Sequence, residues 1–263
     1  MEITFYKYQG TGNDFIIIDG RNLDYNFTAH QIELLCHRRF GIGADGFMIL
    51  ISAHGYDFEM QYFNADGKPG SMCGNGGRCI VQFAIDLGIC KDSIRFVAVD
   101  GLHLAEQDEK GRIRLKMSDV HEVHSESGDF ILDTGSPHYV KFVNDLDDLD
   151  VTKEGKHIRN SPKFNVNGIN VNFVHILNDH SIYVRTYERG VEDETWSCGT
   201  GVTASSLMAA HNESGFNEVD VQTLGGKLTV EFERVDEKTY NNIWLIGPAT
   251  YVFKGIIKTE DLG

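Results

Sequence analysis

Two short stretches hold the residues best suited to chemistry. They are Met72-Cys73-Gly74-Asn75-Gly76-Gly77-Arg78 and Ser197-Cys198-Gly199-Thr200-Gly201-Val202-Thr203, with the cysteines 125 positions apart. In each, a cysteine precedes Gly-Asn/Thr-Gly and a largely apolar segment of helical period. A thiol just ahead of a helix N-terminus faces unbonded backbone N–H groups and the positive end of the helix dipole, which stabilise a thiolate. The same groups hold a carboxylate. A hydrolase needs one nucleophile, one base and an oxyanion site, an asymmetric set. Inversion at a carbon needs a base on each face, one taking a proton as thiolate while the other gives one as thiol. Cysteine titrates near 8.5 and lower at helix N-termini, so such a pair is accessible near neutral pH. Cys36, Cys79 and Cys90 read instead as buried core thiols.

The elements that position these thiols also come in two sets. Strands are expected at 3–8, 15–18, 47–51 and 56–63, and a helix from Thr28, its N-cap, to about Phe40. The Cys73 helix carries Ile80, Val81, Phe83, Ala84, Ile85 and Leu87 nearly all round and stops at Gly88, so it should be central. Strands follow at about 94–99, 102–107 and 112–117. The pattern then restarts. Phe130 to His138 echoes the opening strand and its Gly10-Thr11-Gly12 turn, and strands are expected at 170–177, 181–187, 219–224, 227–233 and 242–247. The second helix carries Val202, Ala204, Leu207, Met208 and Ala209. Tyr62 and Tyr187, and Gly101 and Gly226, keep the same offset of 125 as the cysteines, which marks an internal duplication. The expected class is α/β (α+β): two pseudo-symmetric domains, each a mixed, largely antiparallel sheet or barrel wrapped around a central apolar helix. The domains are read as 1–118 and 119–249, with the boundary in the polar run Ser118–Asp129.

The 263 residues carry a net charge of −15 and no basic cluster, which disfavours nucleic acid or an anionic membrane as partner. The start alternates like a strand and lacks the build of a signal peptide. No apolar run approaches the roughly 18 residues of a membrane span. Five cysteines without paired spacing point to reduced thiols in a cytoplasm. Zinc on Cys73, Cys79 and histidines lacks any ligand spacing, so no metal is expected.

Beyond the cysteines, Gly10-Thr11-Gly12-Asn13-Asp14-Phe15, Asn64-Ala65-Asp66-Gly67, Tyr187-Glu188-Arg189-Gly190 and Glu194-Thr195 complete a set of motifs in order. From Phe5 to about Gly255 the chain resembles diaminopimelate epimerase. The resemblance implies a cofactor-independent, two-base epimerase that interconverts LL- and meso-diaminopimelate for lysine and peptidoglycan precursors in the cytoplasm. It implies Cys73 and Cys198 as the acid/base pair, with His138 and Glu188 tuning the thiols and meeting the substrate amino group. Asn13, Asn64, Asn172 and Arg189 would hold the distal amino-carboxylate arm, and the backbones of Gly74, Asn75, Gly199 and Thr200 the reacting carboxylate. Arg189 suits a bidentate grip on a carboxylate. Two domains closing over the ligand, a homodimer, and a last segment (250–263) returning to the first domain are also implied. Three positions depart from the pattern. Ser136 stands where asparagine is usual, reaching a ligand through water; Gly46 stands where many members carry glutamine; and Val191-Glu192-Asp193 lengthens the loop to Cys198 by one residue. Rival readings are a related proline or hydroxyproline racemase, a cysteine hydrolase pairing Cys73 with His138, and a non-catalytic binding module.

Overall fold

The computed structural model describes residues 1–90 and 93–262; Gly263, the end of the expected returning segment, lies outside them. The chain divides into two compact units, Met1–Leu115 with Pro248–Gly263, and Lys116–Gly247. Among the described residues no helix is long and apolar enough to cross a membrane.

In the first unit, β1 (Glu2–Gly10) alternates exposed and buried residues, as expected of a strand with one face on a core. It pairs antiparallel with β2 (Asn13–Asp19), which pairs parallel with β3 (Gly46–Ile51). The runs Phe15–Ile18 and Phe47–Leu50 are buried throughout, because parallel neighbours are covered on both faces. β3 then pairs antiparallel with β4 (Phe58–Asn64), β4 parallel with β5 (Ser93–Ala98), and β5 and β6 (Gly101–Gln107) continue antiparallel to β7 (Ile113–Lys116). Between β2 and β3 lies α1 (Ala29–Cys36), opened by a capping box in which Thr28 and Gln31 bond each other's backbone N–H. It ends four residues before the expected Phe40. His37 is already extended, and the chain folds back so closely that a Cβ on Gly41 would fall 1.9 Å from the Leu34 carbonyl oxygen. The central helix α2 (Gly74–Asp86) is buried from Gly74 to Ala84 except at Gln82.

The second unit repeats this pairing order. β9 (Asp129–Asp133) is antiparallel to β10 (Pro137–Phe142), β10 parallel to β11 (Asn170–Asn178), and β11 antiparallel to β12 (Ser181–Glu188). β12 is parallel to β14 (Gly215–Thr223), and β15 (Gly226–Arg234) and β16 (Tyr240–Gly247) continue antiparallel. The central helix is α4 (Gly199–Met208). It is buried from Gly199 to Leu207 except at Thr200, and Thr203, Ser205 and Ser206 satisfy their hydroxyls on carbonyls one turn back, at 2.8–3.0 Å.

The sequence reading lacks several elements. β8 (Val123–Glu126) is an edge strand on β9 that buries only Val123, so it shows no apolar period. β13 (Asp193–Thr195) is three residues long. The counterpart of α1 is α3 (Val151–Arg159), capped by Asp150 but burying only Val151 and Gly155. Its mid-helix glycine is explained by packing: a Cβ on Gly155 would fall 2.3 Å from the Cβ of Tyr187. β17 (Thr250–Lys258) pairs antiparallel with β1 along its length, within the first unit.

Candidate active site

Cys73 is the N-cap residue of α2, with extended backbone, and its Sγ accepts a hydrogen bond from the Gly76 N–H at 3.2 Å. Sulfur thus takes the place of the usual serine or aspartate oxygen, which favours a charged thiolate. Behind it a buried polar cluster fixes the first turn. Asn75, almost fully buried, accepts through Oδ1 from Arg78 at 2.9 Å and from Thr11 at 3.3 Å, and its amide reaches Asn13 Oδ1 at 3.5 Å.

Arg78 is the feature that sequence reasoning passed over. Its side chain is completely buried and donates to the Gly74 carbonyl at 3.1 Å, to Thr11 at 3.2 Å and, more loosely, to the Pro248 carbonyl at 3.4 Å. Among the described residues no carboxylate pairs with it. Burial pulls its pKa down to about 10, opposed by the neighbouring thiols of Cys79 and Cys73, so it stays charged at neutral pH. Gly10 allows the end of β1 this close, since a Cβ there would lie 3.2–3.3 Å from Asn75, Arg78 and Cys79.

Asn13 is oriented from the other side by Asp45, whose carboxylate accepts its amide at 2.7 Å. Asp45 in turn pairs with Arg38 at 2.6 Å, and Asp14 pairs with Arg38 and Lys7, both at 2.7 Å. Asp14 is partly buried, yet the bonds from Arg38 and Lys7 outweigh desolvation and hold it near 2. Asn64, exposed, ends β4 in a tight turn: its backbone N–H donates to the Lys68 carbonyl, and Gly67 has φ 78°.

In the second unit Cys198 holds the equivalent N-cap position on α4, again extended, but its thiol does not cap the helix; Sγ lies 3.5 Å from the Thr200 hydroxyl. The Thr200 carbonyl accepts from Thr134 at 2.8 Å. His138 is completely buried. Its Nδ1 accepts from the Asn172 amide at 3.1 Å, which leaves the proton on Nε2, and among the described residues Nε2 has no hydrogen-bond partner. Burial above all, and then the Arg189 charge, bring His138 down to about 3 against the opposing Asn172 bond, so the imidazole is neutral.

Asn172, expected at the distal arm, lies beside His138. It is fully buried, its amide is committed to His138 and the Tyr139 carbonyl, and its oxygen accepts from Thr186 at 3.0 Å. It positions His138. A Cβ on Gly201 would fall 2.2 Å from its Oδ1, so glycine is required where α4 settles on this pair. Asn170, two residues earlier on the same face of β11, was not singled out from sequence. Its amide donates to Ser136 at 2.9 Å and its oxygen accepts from the Arg189 N–H at 2.8 Å. The Arg189 guanidinium bonds the Asn167 carbonyl at 3.0 Å and Ser136 at 3.4 Å. Glu188 accepts from Thr195 at 3.0 Å. In the longer loop Glu192 takes a left-handed conformation, φ 58°, held by bonds from Tyr187 at 3.0 Å and the Gly190 N–H at 3.2 Å. Asp193 accepts from Thr152 at 2.7 Å.

Two units of one topology, each opening a buried helix with a cysteine, define the fold. Solved structures share it: a phenazine biosynthesis protein of the PhzF family from Bacillus anthracis (TM-score 0.73, 17% identity, 98% of this chain and 99% of that one), and a probable proline racemase from Agrobacterium radiobacter (0.69, 15%, 98% and 93%). At such identities the likeness is one of fold. The diaminopimelate epimerase family model matches residues 5–123 and 130–252. Relatives called diaminopimelate epimerase include those of Flavobacterium psychrophilum, 47% identical over 96% of this chain and 99% of that protein, and of Chlorobaculum tepidum, 43% identical over 94% and 98%. The chain belongs to the diaminopimelate epimerase family.

Proposed function

We propose that this enzyme interconverts LL-2,6-diaminopimelate and meso-diaminopimelate without a cofactor, with Cys73 and Cys198 as the two bases. One thiolate removes the α-hydrogen as a proton, leaving the electron pair on the α-carbon beside the carboxylate. The other thiol returns a proton to the opposite face, and the reverse reaction exchanges their roles. The N–H groups at Gly74 and Asn75, and at Gly199 and Thr200, are assigned to the carboxylate, whose charge grows as the proton leaves. Asn13, Asn64, Ser136, Asn170 and Arg189 are assigned to the distal amino-carboxylate arm, and Glu188 to the substrate amino group. His138, held by Asn172, acts as a neutral donor through Nε2–H.

The observation that carries this reading is the recurrence of a cysteine N-cap on a buried, glycine-opened helix, once in each unit. A cysteine hydrolase with His138 as base is disfavoured, because an imidazole held near 3 does not take a proton at neutral pH. Reduced thiols and the family resemblance support a homodimer working in the cytoplasm on a small-molecule substrate. The test is α-hydrogen exchange in D2O. The enzyme should incorporate deuterium at the α-carbon of diaminopimelate and leave proline untouched. Full epimerase activity in Cys198→Ala would overturn the two-base reading.

A further inference from the structure

The duplication pairs Tyr62 with Tyr187, and the assignments above use neither. Tyr187 is completely buried, its ring lies on Gly155, and its hydroxyl is bonded to Glu192 at 3.0 Å, so it is part of the framework. Tyr62 is placed differently. It lies on β4, two residues before Asn64 and on the same face, and is only partly buried. The ring sits between two positions that lack side chains. A Cβ on Gly46 would fall 2.6 Å from Cε2 and 2.8 Å from the hydroxyl oxygen; one on Gly70 would fall 2.7 Å from Cε1 and 2.9 Å from Asn64 Oδ1. The strand register sets Gly46 opposite Asn64 on one side and Phe15 on the other.

Phe15 ties this ring to the reactive thiol. It meets Tyr62 edge-on, at 6.2 Å between centroids and 71°. Its far end, Cζ, lies 3.5 Å from the point where a Gly76 Cβ would stand, and Cys73 Sγ lies 3.2 Å from that same point. The path from thiol to phenol therefore runs Cys73, Gly76, Phe15, Tyr62, and ends beside Asn64 within one unit. Any side chain at Gly46 would displace the phenol, so the glycine gives the ring its place and direction. A phenol both donates to a carboxylate and accepts from an ammonium, and the arm of an amino-carboxylate offers both.

We propose that Tyr62 is a substrate-binding residue that helps set specificity, its hydroxyl hydrogen-bonding the distal amino-carboxylate arm next to Asn64. This rests on the function proposed above. Tyr62→Phe keeps the ring between Gly46 and Gly70 and removes only the hydroxyl. It should raise KM for diaminopimelate about tenfold, the range of a hydrogen bond to a charged group, with kcat within about twofold. Gly46→Ala leaves the hydroxyl present but pushes it aside, and should raise KM in the same way. An unchanged KM in Tyr62→Phe, or a loss carried by kcat in place of KM, overturns the proposal. Deuterium exchange by the parent enzyme is measured alongside. If the parent exchanges nothing, the functional reading fails first; if it exchanges and Tyr62→Phe keeps its KM, only the role of Tyr62 fails.

Discussion

The two units share strand order, strand direction and a central helix with cysteine at its N-cap position, yet they support their thiols by different means. Around Cys73 the support is charged: the sulfur accepts from the Gly76 N–H, and a buried arginine ties together Asn75, Thr11 and the Gly74 carbonyl. Around Cys198 a threonine hydroxyl lies near the sulfur, and a buried neutral imidazole is held by Asn172. The duplication makes the comparison exact in register. Arg78 and Thr203 are equivalent, and each donates to the carbonyl four residues back, Gly74 at 3.1 Å and Gly199 at 3.0 Å. Asn13 is equivalent to His138, Asn64 to Arg189 and Asn75 to Thr200. One topology thus presents a helix N-terminus twice with different side chains around it. Under the proposed function, duplication would supply symmetry of chemistry at the thiols, and divergence the orientation of the substrate.

Substitutions can break or sharpen this contrast. The largest effect is expected where the units are alike. Cys73→Ala and Cys198→Ala should each lower kcat by about 10²–10⁴, the usual contribution of a general acid or base, and a deficit confined to one of them would end the equivalence. Next comes the arginine that has no counterpart charge. Arg78→Met leaves Asn75, Thr11 and the Gly74 carbonyl short of a donor in a buried place. It should cost about 3 kcal/mol of stability, read from urea midpoints, and slow alkylation of Cys73 more than that of Cys198. Equal slowing at both thiols would show that the support is not local.

The pH dependence of stability isolates the second unit. The unfolded chain protonates His138 below about 6.5, whereas the fold keeps it neutral down to about 3. Its contribution is therefore fully present above 6.5 and is lost progressively as pH falls towards 3, by at most about 1.4 kcal/mol per pH unit. His138→Asn should flatten the fall in urea midpoint between pH 6.5 and 4.5; an unchanged slope would mean that another group governs it. The smallest effect belongs to Thr203→Val, which removes one neutral hydrogen bond where Arg78→Met removes several, and should cost about 1 kcal/mol. A cost as large as that of Arg78→Met would erase the distinction between a charged and a neutral donor at this position.

Much of this was legible in the chain because it depends on local chemistry. A cysteine followed by Gly-Asn/Thr-Gly and an apolar helical run states an N-cap and a buried helix, and its repetition at a fixed offset states two half-sites. The polar elements were hidden for a physical reason: β8 buries one residue, α3 two and β13 none, so no period marks them. The choice between Asn170 and Asn172 was equally out of reach. Both lie on one face of β11, and only the packing of α4 through Gly201 closes Asn172 around His138 while Asn170 bonds Ser136 and Arg189.

The residue order alone thus determined the thiols, their helices, the duplication and the family, since these rest on spacing along the chain and on propensities acting within a turn or a strand. The tertiary structure alone decided which side chains are committed and which way they face: the burial of Arg78 and His138, the wedge of Tyr62 between Gly46 and Gly70, the bridging of Asn170. Those depend on contacts between segments distant in sequence, where a missing Cβ or one buried hydrogen bond selects a single arrangement.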